Sequence, residues 1–363
     1  MLPYVNEFRT DKAANYYLDR ISKAAPSDPL TIMEICGGHT LTIVRYGLQE
    51  LLPKQIRLLS GPGCPVCVTS QEYIDTAIEL SKLPDMIIAS FGDMLRVPGS
   101  KGSLAGQKSR GADIRVCLSS LDALELARKN PDREVIFLGI GFETTAPTIA
   151  HALYTAAQDK CKNFSVLSAL KVIPPAMHAL LKSGEVNIGG FICPGHVSAI
   201  TGTEIYEQIA KSYGIPCVVS GFEPVDLLSS IAMILSQLKS GRAEVENQYT
   251  RTVKKQGNRR ALSLIAEVFR EQDAVWRGLG VIAKSGLQIR DAYKAYDAAQ
   301  RFTITLPESR EHPACICGAV MRGVKQPLDC TLFNTLCTPQ NPVGACMVSA
   351  EGSCGIYYKY ARK

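Results

Sequence analysis

Cys64 and Cys67 stand three positions apart in the glycine- and proline-rich stretch GPGCPVC at 61–67, and Cys36 opens the stretch CGGHT at 36–40, with His39 three residues on. A thiol pair at that spacing does redox work, staples a loop or supplies half of a zinc site. A zinc ribbon needs a second pair, and the chain contains no other C-x-x-C. After Cys67 comes the T-x-x-E pattern of Thr69 and Glu72, followed by Ile74, Ala77 and Ile78 at helical spacing, which predicts a capping box and a helix start. Backbone N–H groups and the helix dipole at such a start favour thiolate over thiol, so the redox reading leads. Cys36 stands alone at the end of a predicted strand. It is a nucleophile or a ligand for a soft metal, with His39 as base, hydrogen-bond donor or co-ligand, or else it is plain packing.

Six further cysteines lie near the C-terminus: Cys315, Cys317, Cys330, Cys337, Cys346 and Cys354. They fall in a Pro- and Gly-rich region from Pro307 onward with little periodicity. Dense cysteine without regular structure implies a metal that organises the fold. Four thiolates suit zinc or a [4Fe–4S] cluster, and the spacings match neither a zinc finger nor a common ferredoxin run. Cys117, Cys193 and Cys217 fall within predicted strands and Cys161 near a helix end, where burial is the ordinary role.

The elements that must position these residues follow a repeating rhythm. LTIMEIC, IRLLSG, MIIASFG and IRVCLSS are short β-branched runs, each followed by a Gly or Pro loop and a helical pattern; EVIFLGIG, FSVLSAL, GGFICPG and PCVVSGF repeat the arrangement. Strands about 25 to 30 residues apart with intervening helices are βαβ units. The expected fold class is therefore α/β, with two similar parallel-sheet αβα lobes at 28–130 and 131–240 and a third, Cys-rich domain from 1–27 and 241–363. Within the last, 243–269 reads as helical and VWRGLGVI as a strand, and an N-terminal helix over 4–24 is expected to pack with this region. CGGHT, GPGCPVC, FGDMLRVPG, GFETT, PGHVS and GFEP each follow a predicted strand. Ligands of open α/β sheets bind outside the carboxyl ends of the strands, so these six loops are expected to line one cleft.

The chain has 363 residues, 46% of them apolar, enough for two or three domains. Its net charge of +6 comes from 40 basic and 34 acidic residues with no basic run, which gives no indication of nucleic-acid binding. The N-terminus lacks an apolar leader-like stretch, and no run reaches the roughly 18 apolar residues that span a bilayer. A cytoplasmic protein without a membrane segment is expected. In that reducing compartment the 13 cysteines are expected to serve metals, catalysis or packing rather than structural disulfides.

In this order CGGHT, GPGCPVCV, FGDMLRVPG, GFETT, PGHVS, GFEPVDLL, VENQY, WRGLG and the Cys-rich tail resemble the HypD family of hydrogenase maturation factors, over nearly the whole chain. The resemblance implies an iron–sulfur scaffold protein that assembles the Fe(CN)2CO group of [NiFe]-hydrogenases. Its partners would be a HypC-type chaperone and a HypE-type cyanide donor. It further implies that Cys36 holds the iron with His39 beside it, that Cys64 and Cys67 are a redox-active pair, and that Cys317, Cys330, Cys337 and Cys354 bind a [4Fe–4S] cluster in the third domain. Leu41 stands where some relatives carry a second histidine, and Cys315 and Cys346 are additional. Asp93, Glu143, His196 and Glu223 would be acid/base or hydrogen-bonding groups of the cleft, or structural. The competing reading is a stand-alone, cluster-dependent dithiol/disulfide reductase in which Cys36 is incidental. A nucleotide-binding enzyme is weakly supported, because the chain has no G-x-x-x-x-G-K-[ST] and GIGFET lacks the third glycine of a dinucleotide fingerprint.

Overall fold

The computed structural model describes residues 6–306 and 308–361. The eight β-branched runs form β1 Leu30–Glu34, β2 Ile56–Ser60, β3 Met86–Ser90, β4 Asp113–Val116, β5 Glu134–Gly141, β6 Phe164–Leu170, β7 Gly190–Pro194 and β8 Cys217–Ser220, and a further short strand, β9 Val245–Asn247, joins them. They pair in parallel in two sheets, one ordered β2-β1-β7-β8-β9 and the other β4-β3-β5-β6. Helices cover the connections, as parallel strands require. Several begin with a proline in the first turn, as at Pro65, Pro174 and Pro224, where the missing N–H costs nothing.

The two αβα lobes are present, but their composition differs from the expected 28–130 and 131–240. The chain lays down β1 and β2 in the first sheet, builds the whole second sheet with β3 to β6, then returns for β7 to β9. The stretch 243–269, expected as helix, holds the short edge strand β9, and only Arg259–Val268 is helical.

The expected third domain is likewise divided. The helix Asp11–Ala24 packs on the helix Pro224–Lys239 of the first lobe, burying Ile21 fully among Leu227, Leu228 and Ile231. VWRGLGVI is not one strand but the turn of an antiparallel hairpin, β10 Phe269–Trp276 with β11 Gly280–Ile289. That hairpin lies against β6, with Val172 N–H donating to the Ser285 carbonyl at 3.0 Å. The remaining tail is made of turns and two short helices, Cys317–Met321 and Ser353–Tyr360. The second of these packs on the helix Gly37–Tyr46.

The order of the strands creates two switch points. In the first sheet β1 is followed by a connection to β2 on one side, and its other neighbour β7 is followed by one to β8 on the opposite side. In the second sheet β3 and β5 diverge in the same manner toward β4 and β6. Connections that part leave a crevice at the carboxyl ends of the strands. The four loops at these points are CGGHT, PGHVS, FGDML and GFETT.

Candidate functional site

Cys36 ends the segment that follows β1. Its backbone is extended, it is the N-cap residue of the helix Gly37–Tyr46, and its side chain makes no capping hydrogen bond, which leaves the sulfur free for other chemistry. Three sets of backbone contacts hold it. The Cys36 N–H donates to Glu34 Oε2 at 2.8 Å, and the Cys36 carbonyl accepts from the N–H groups of His39 and Thr40 at 2.9 and 3.1 Å. Gly63 lies so close that a Cβ on it would come within 2.2 Å of Cys36 N. A glycine there allows the GPGCPVC loop to rest directly on the Cys36 backbone.

The ring nitrogen that reaches the Cys36 sulfur is His196 Nδ1, at 3.6 Å. His196 opens the helix after β7, so the pair joins the two sides of the switch point across 160 residues. Burial pushes His196 down to about 4, leaving a neutral ring within hydrogen-bonding reach of the sulfur. Burial raises the Cys36 thiol well above the ordinary range, and the Glu351 and Glu34 carboxylates add to the rise. The resting side chain is therefore a thiol beside a neutral imidazole. His39 is placed differently. It is fully buried, its Nε2 lies 3.4 Å from the Ser220 carbonyl, and its ring stacks on Phe222. Burial, then the neighbouring His196, pushes its pKa down to about 3. Phe222 also faces His196, so an aromatic ring links the two histidines.

Glu34 was not among the residues singled out from the sequence, although an acid inside the apolar run LTIMEIC was the available signal. It is 1% exposed, accepts from Cys36 N–H and from the Thr40 hydroxyl, and burial raises it to about 7 against those bonds. It fixes the strand-to-helix turn that presents Cys36.

His196, whose Nδ1 faces the Cys36 sulfur, helps line a cavity of about 440 Å³ with Asp93, Thr145 and Glu351 among its polar walls and Pro65 and Val66 at one side; Cys36 itself is not in the lining. Two of the four expected cleft groups therefore line it, His196 and Asp93. Glu143 turns away: it is 5% exposed, accepts from Ile173 N–H at 2.8 Å and holds the start of the helix Ile173–Ser183. Glu223 is an N-cap residue that pairs with Arg9. Glu143 Oε1 thus holds a helix start while its Oε2 is buried without a hydrogen-bond partner among the described residues, and the Glu223 carboxylate is engaged by Arg9 at a helix start.

Cys64 and Cys67 are bonded as a disulfide. Cys64 caps a single turn, Pro65–Val68, and its sulfur accepts from Cys67 N–H at 3.2 Å. The pair therefore brackets a turn of its own instead of sitting before the next helix. That helix, Gln71–Leu80, is capped by Ser70 accepting from Tyr73 N–H, while Thr69 Oγ1 donates back to the Pro65 carbonyl; the expected Thr69 box is not formed. The disulfide turn packs on the tail turn Ala345–Met347.

In the tail, Cys346 is in hydrogen-bonding reach of Cys317 and Cys354, which with burial raises its thiol, and Cys317 lies beside Cys315. Cys354 is lowered to about 5 by Cys317 and Cys346. Gly344 leaves room for two of these sulfurs, since a Cβ there would meet Cys317 and Cys315 Sγ at 2.6 and 2.7 Å. Val343 N–H donates to Cys337 Sγ at 3.3 Å. Among the expected ligands, Cys317, Cys337 and Cys354 share this neighbourhood, whereas Cys330 lies on a turn after Pro327–Asp329 and Cys346 enters the group. Among the described residues no three His, Cys, Asp or Glu side chains converge on a point suited to one metal ion. Cys193 and Cys217 are fully buried on adjacent strands, in the packing role expected.

Comparison with known proteins agrees with this arrangement. The family model HypD, described as "Hydrogenase formation hypA family", matches residues 12–361. The chain belongs to the HypD family. It is 47% identical to hydrogenase maturation factor HypD2 of Bradyrhizobium diazoefficiens, over 99% of this chain and 97% of the relative. It is also 47% identical to hydrogenase maturation factor HypD of Rhodobacter capsulatus, over 99% and 98%. The HypD of Azotobacter vinelandii is 45% identical over 100% and 98%. The match runs through both sheets, the hairpin and the tail.

Proposed function

We propose that this chain is a hydrogenase maturation factor that holds iron at Cys36 while carbon monoxide and cyanide are attached to it. The observation that carries the reading is Cys36 itself: a buried thiol, anchored by backbone bonds, with neutral His196 at 3.6 Å, which in turn lines a cavity of about 440 Å³. Iron bearing CO and cyanide is low-spin and soft, and a thiolate suits it. Cys36 gives up its proton to solvent as the sulfur binds the incoming iron, which is cargo here and not a resident cofactor, and His196 Nδ1 stays beside the sulfur as a hydrogen-bond partner. Glu34 keeps the turn in place, and Asp93, Glu351 and Thr145 supply polar contacts to the ligands. The walls of the two lobes exclude water, which protects reactive intermediates.

The tail is the site of a [4Fe–4S] cluster in this reading, with Cys317, Cys337 and Cys354 as ligands and Cys330, by family resemblance, as the fourth. When bound, such a cluster supplies electrons one at a time. The disulfide turn packs against the tail, and Cys64 and Cys67 cycle between disulfide and dithiol. A HypC-type chaperone and a HypE-type cyanide donor are the partners and the cytoplasm is the compartment. No described helix is long and apolar enough to cross a membrane.

The disulfide beside the tail also favours the second reading, a stand-alone reductase. Infrared spectra of protein purified anaerobically with its HypC-type partner separate the two. Bands of metal-bound CO and cyanide are expected; a brown protein with a working thiol pair and no such bands under any loading condition identifies the reductase.

A further inference from the structure

The WRGLG turn at 276–280 contributes a buried cation between the two sulfur sites. The Arg277 side chain is 4% exposed. Its backbone N–H donates to the Val68 carbonyl at 2.9 Å and its Nε to the Thr69 carbonyl at 2.8 Å, the carbonyls that directly follow Cys67. On the other side Arg277 shares a cavity of about 330 Å³ with Cys315 and Cys317. Its Nη2 is buried without a hydrogen-bond acceptor among the described residues. The carboxylate nearest in charge, Glu311, is 45% exposed and 3.9 Å from Nε. The turn is clamped to the cysteine helix, with Arg322 Nη1 donating to the Gly278 carbonyl at 2.5 Å.

A guanidinium is a permanent cation, and burying one without an anion is costly. A neutral partner does not repay that cost, and an exposed carboxylate at 3.9 Å repays only part of it. A thiolate-ligated iron–sulfur cluster carries net negative charge that grows by one on reduction, so a fixed cation beside it favours the reduced form.

We propose that Arg277 is a positioning residue that couples the two sulfur sites. Its guanidinium compensates the charge of the tail cluster and raises the cluster's midpoint potential, while its N–H groups hold the carbonyls behind the disulfide turn. This rests on the cluster reading of the tail.

The test is an EPR-monitored redox titration of the anaerobic full-length protein, with iron and sulfide counted in each sample. Arg277→Gln should keep about four irons in the cluster. Its reduction equilibrium should shift roughly tenfold toward the oxidised form, which is about 59 mV for one electron. Arg277→Met fills the same volume without charge and serves as a second neutral variant should the first not fold. Arg277→Lys keeps the charge and should stay within about threefold of wild type, or about 28 mV. A neutral variant with a full cluster and the wild-type midpoint overturns the proposal, as does Arg277→Lys shifting as far as the neutral variants. Wild-type protein with no cluster signal fails the cluster reading itself, which is a different result.

Discussion

Cys36 is held by a parallel sheet, a buried carboxylate and a neighbouring loop, all of which exist without any metal, whereas the tail cysteines sit on turns and two short helices with few backbone ladders between them. The sulfur of Cys36 has nitrogen neighbours, the His196 ring and the backbone of Gly38 and His39, and those of the tail have mainly one another. The difference teaches where stability comes from in each half. A strand-end site is preorganised by packing, and in the proposed function it stands ready for its cargo. A cysteine-rich tail draws its order from what the cysteines bind.

The largest effects should therefore come from the tail. Cys317→Ala, Cys337→Ala or Cys354→Ala should lose the iron and lower the thermal midpoint by an amount equivalent to several kcal/mol, read by absorbance and calorimetry of anaerobic samples. Treating the wild type with an iron chelator should have the same consequence and leave the sheets folded. Cys330→Ala should behave like them and Cys346→Ala should keep about four irons; the opposite pair of results would move the fourth ligand to Cys346.

On the sheet side the largest change should come with pH and ignore chelators. Burial raises Glu143 to about 7. The native state thus binds a proton that the unfolded chain releases above about 4.5, and this contribution is complete below that pH and lost as pH rises through about 7. Glu143→Gln should remove the loss and gain up to roughly 3 kcal/mol over wild type at pH 8 relative to pH 4.5. Denaturant melts across that range check it; parallel pH profiles would refute it.

A smaller effect is expected at Glu223, which caps a helix and pairs with an Arg9 side chain that is 48% exposed. Glu223→Ala should cost about 1 kcal/mol, almost all from the cap, and leave iron and redox behaviour unchanged. Loss of iron binding at Cys36 in this variant would return Glu223 to the cleft.

The eight β-branched runs were legible because each stands between Gly or Pro loops, and all eight are strands. Their division between sheets was not legible. The step from β2 to β3 has the same length and pattern as the steps within a lobe, so nothing local marks the crossing. β9 is three residues long and too short to show alternation inside a polar stretch. The hairpin was hidden because its turn, with Gly278 and Gly280 at positive φ, sits inside an apolar run. At the site, Cys36 and the thiol pair were visible from spacing, and the family resemblance named their partners. The nearness of His196 to Cys36 depends on β1 and β7 being neighbours, a tertiary fact. For Glu143 and Glu223 the sequence left two roles open, because a strand-end acid at a helix start reads the same as one that faces a ligand.

The central claim is that Cys36 holds iron independently of the other cysteines. Infrared absorption of Cys36→Ala and Cys64→Ala, each purified anaerobically with the HypC-type partner, tests it most directly. Cys36→Ala should retain the brown cluster and the Cys64–Cys67 chemistry yet show no bands of metal-bound CO or cyanide. Bands of wild-type intensity in Cys36→Ala would contradict the assignment and leave the redox pair as the functional centre.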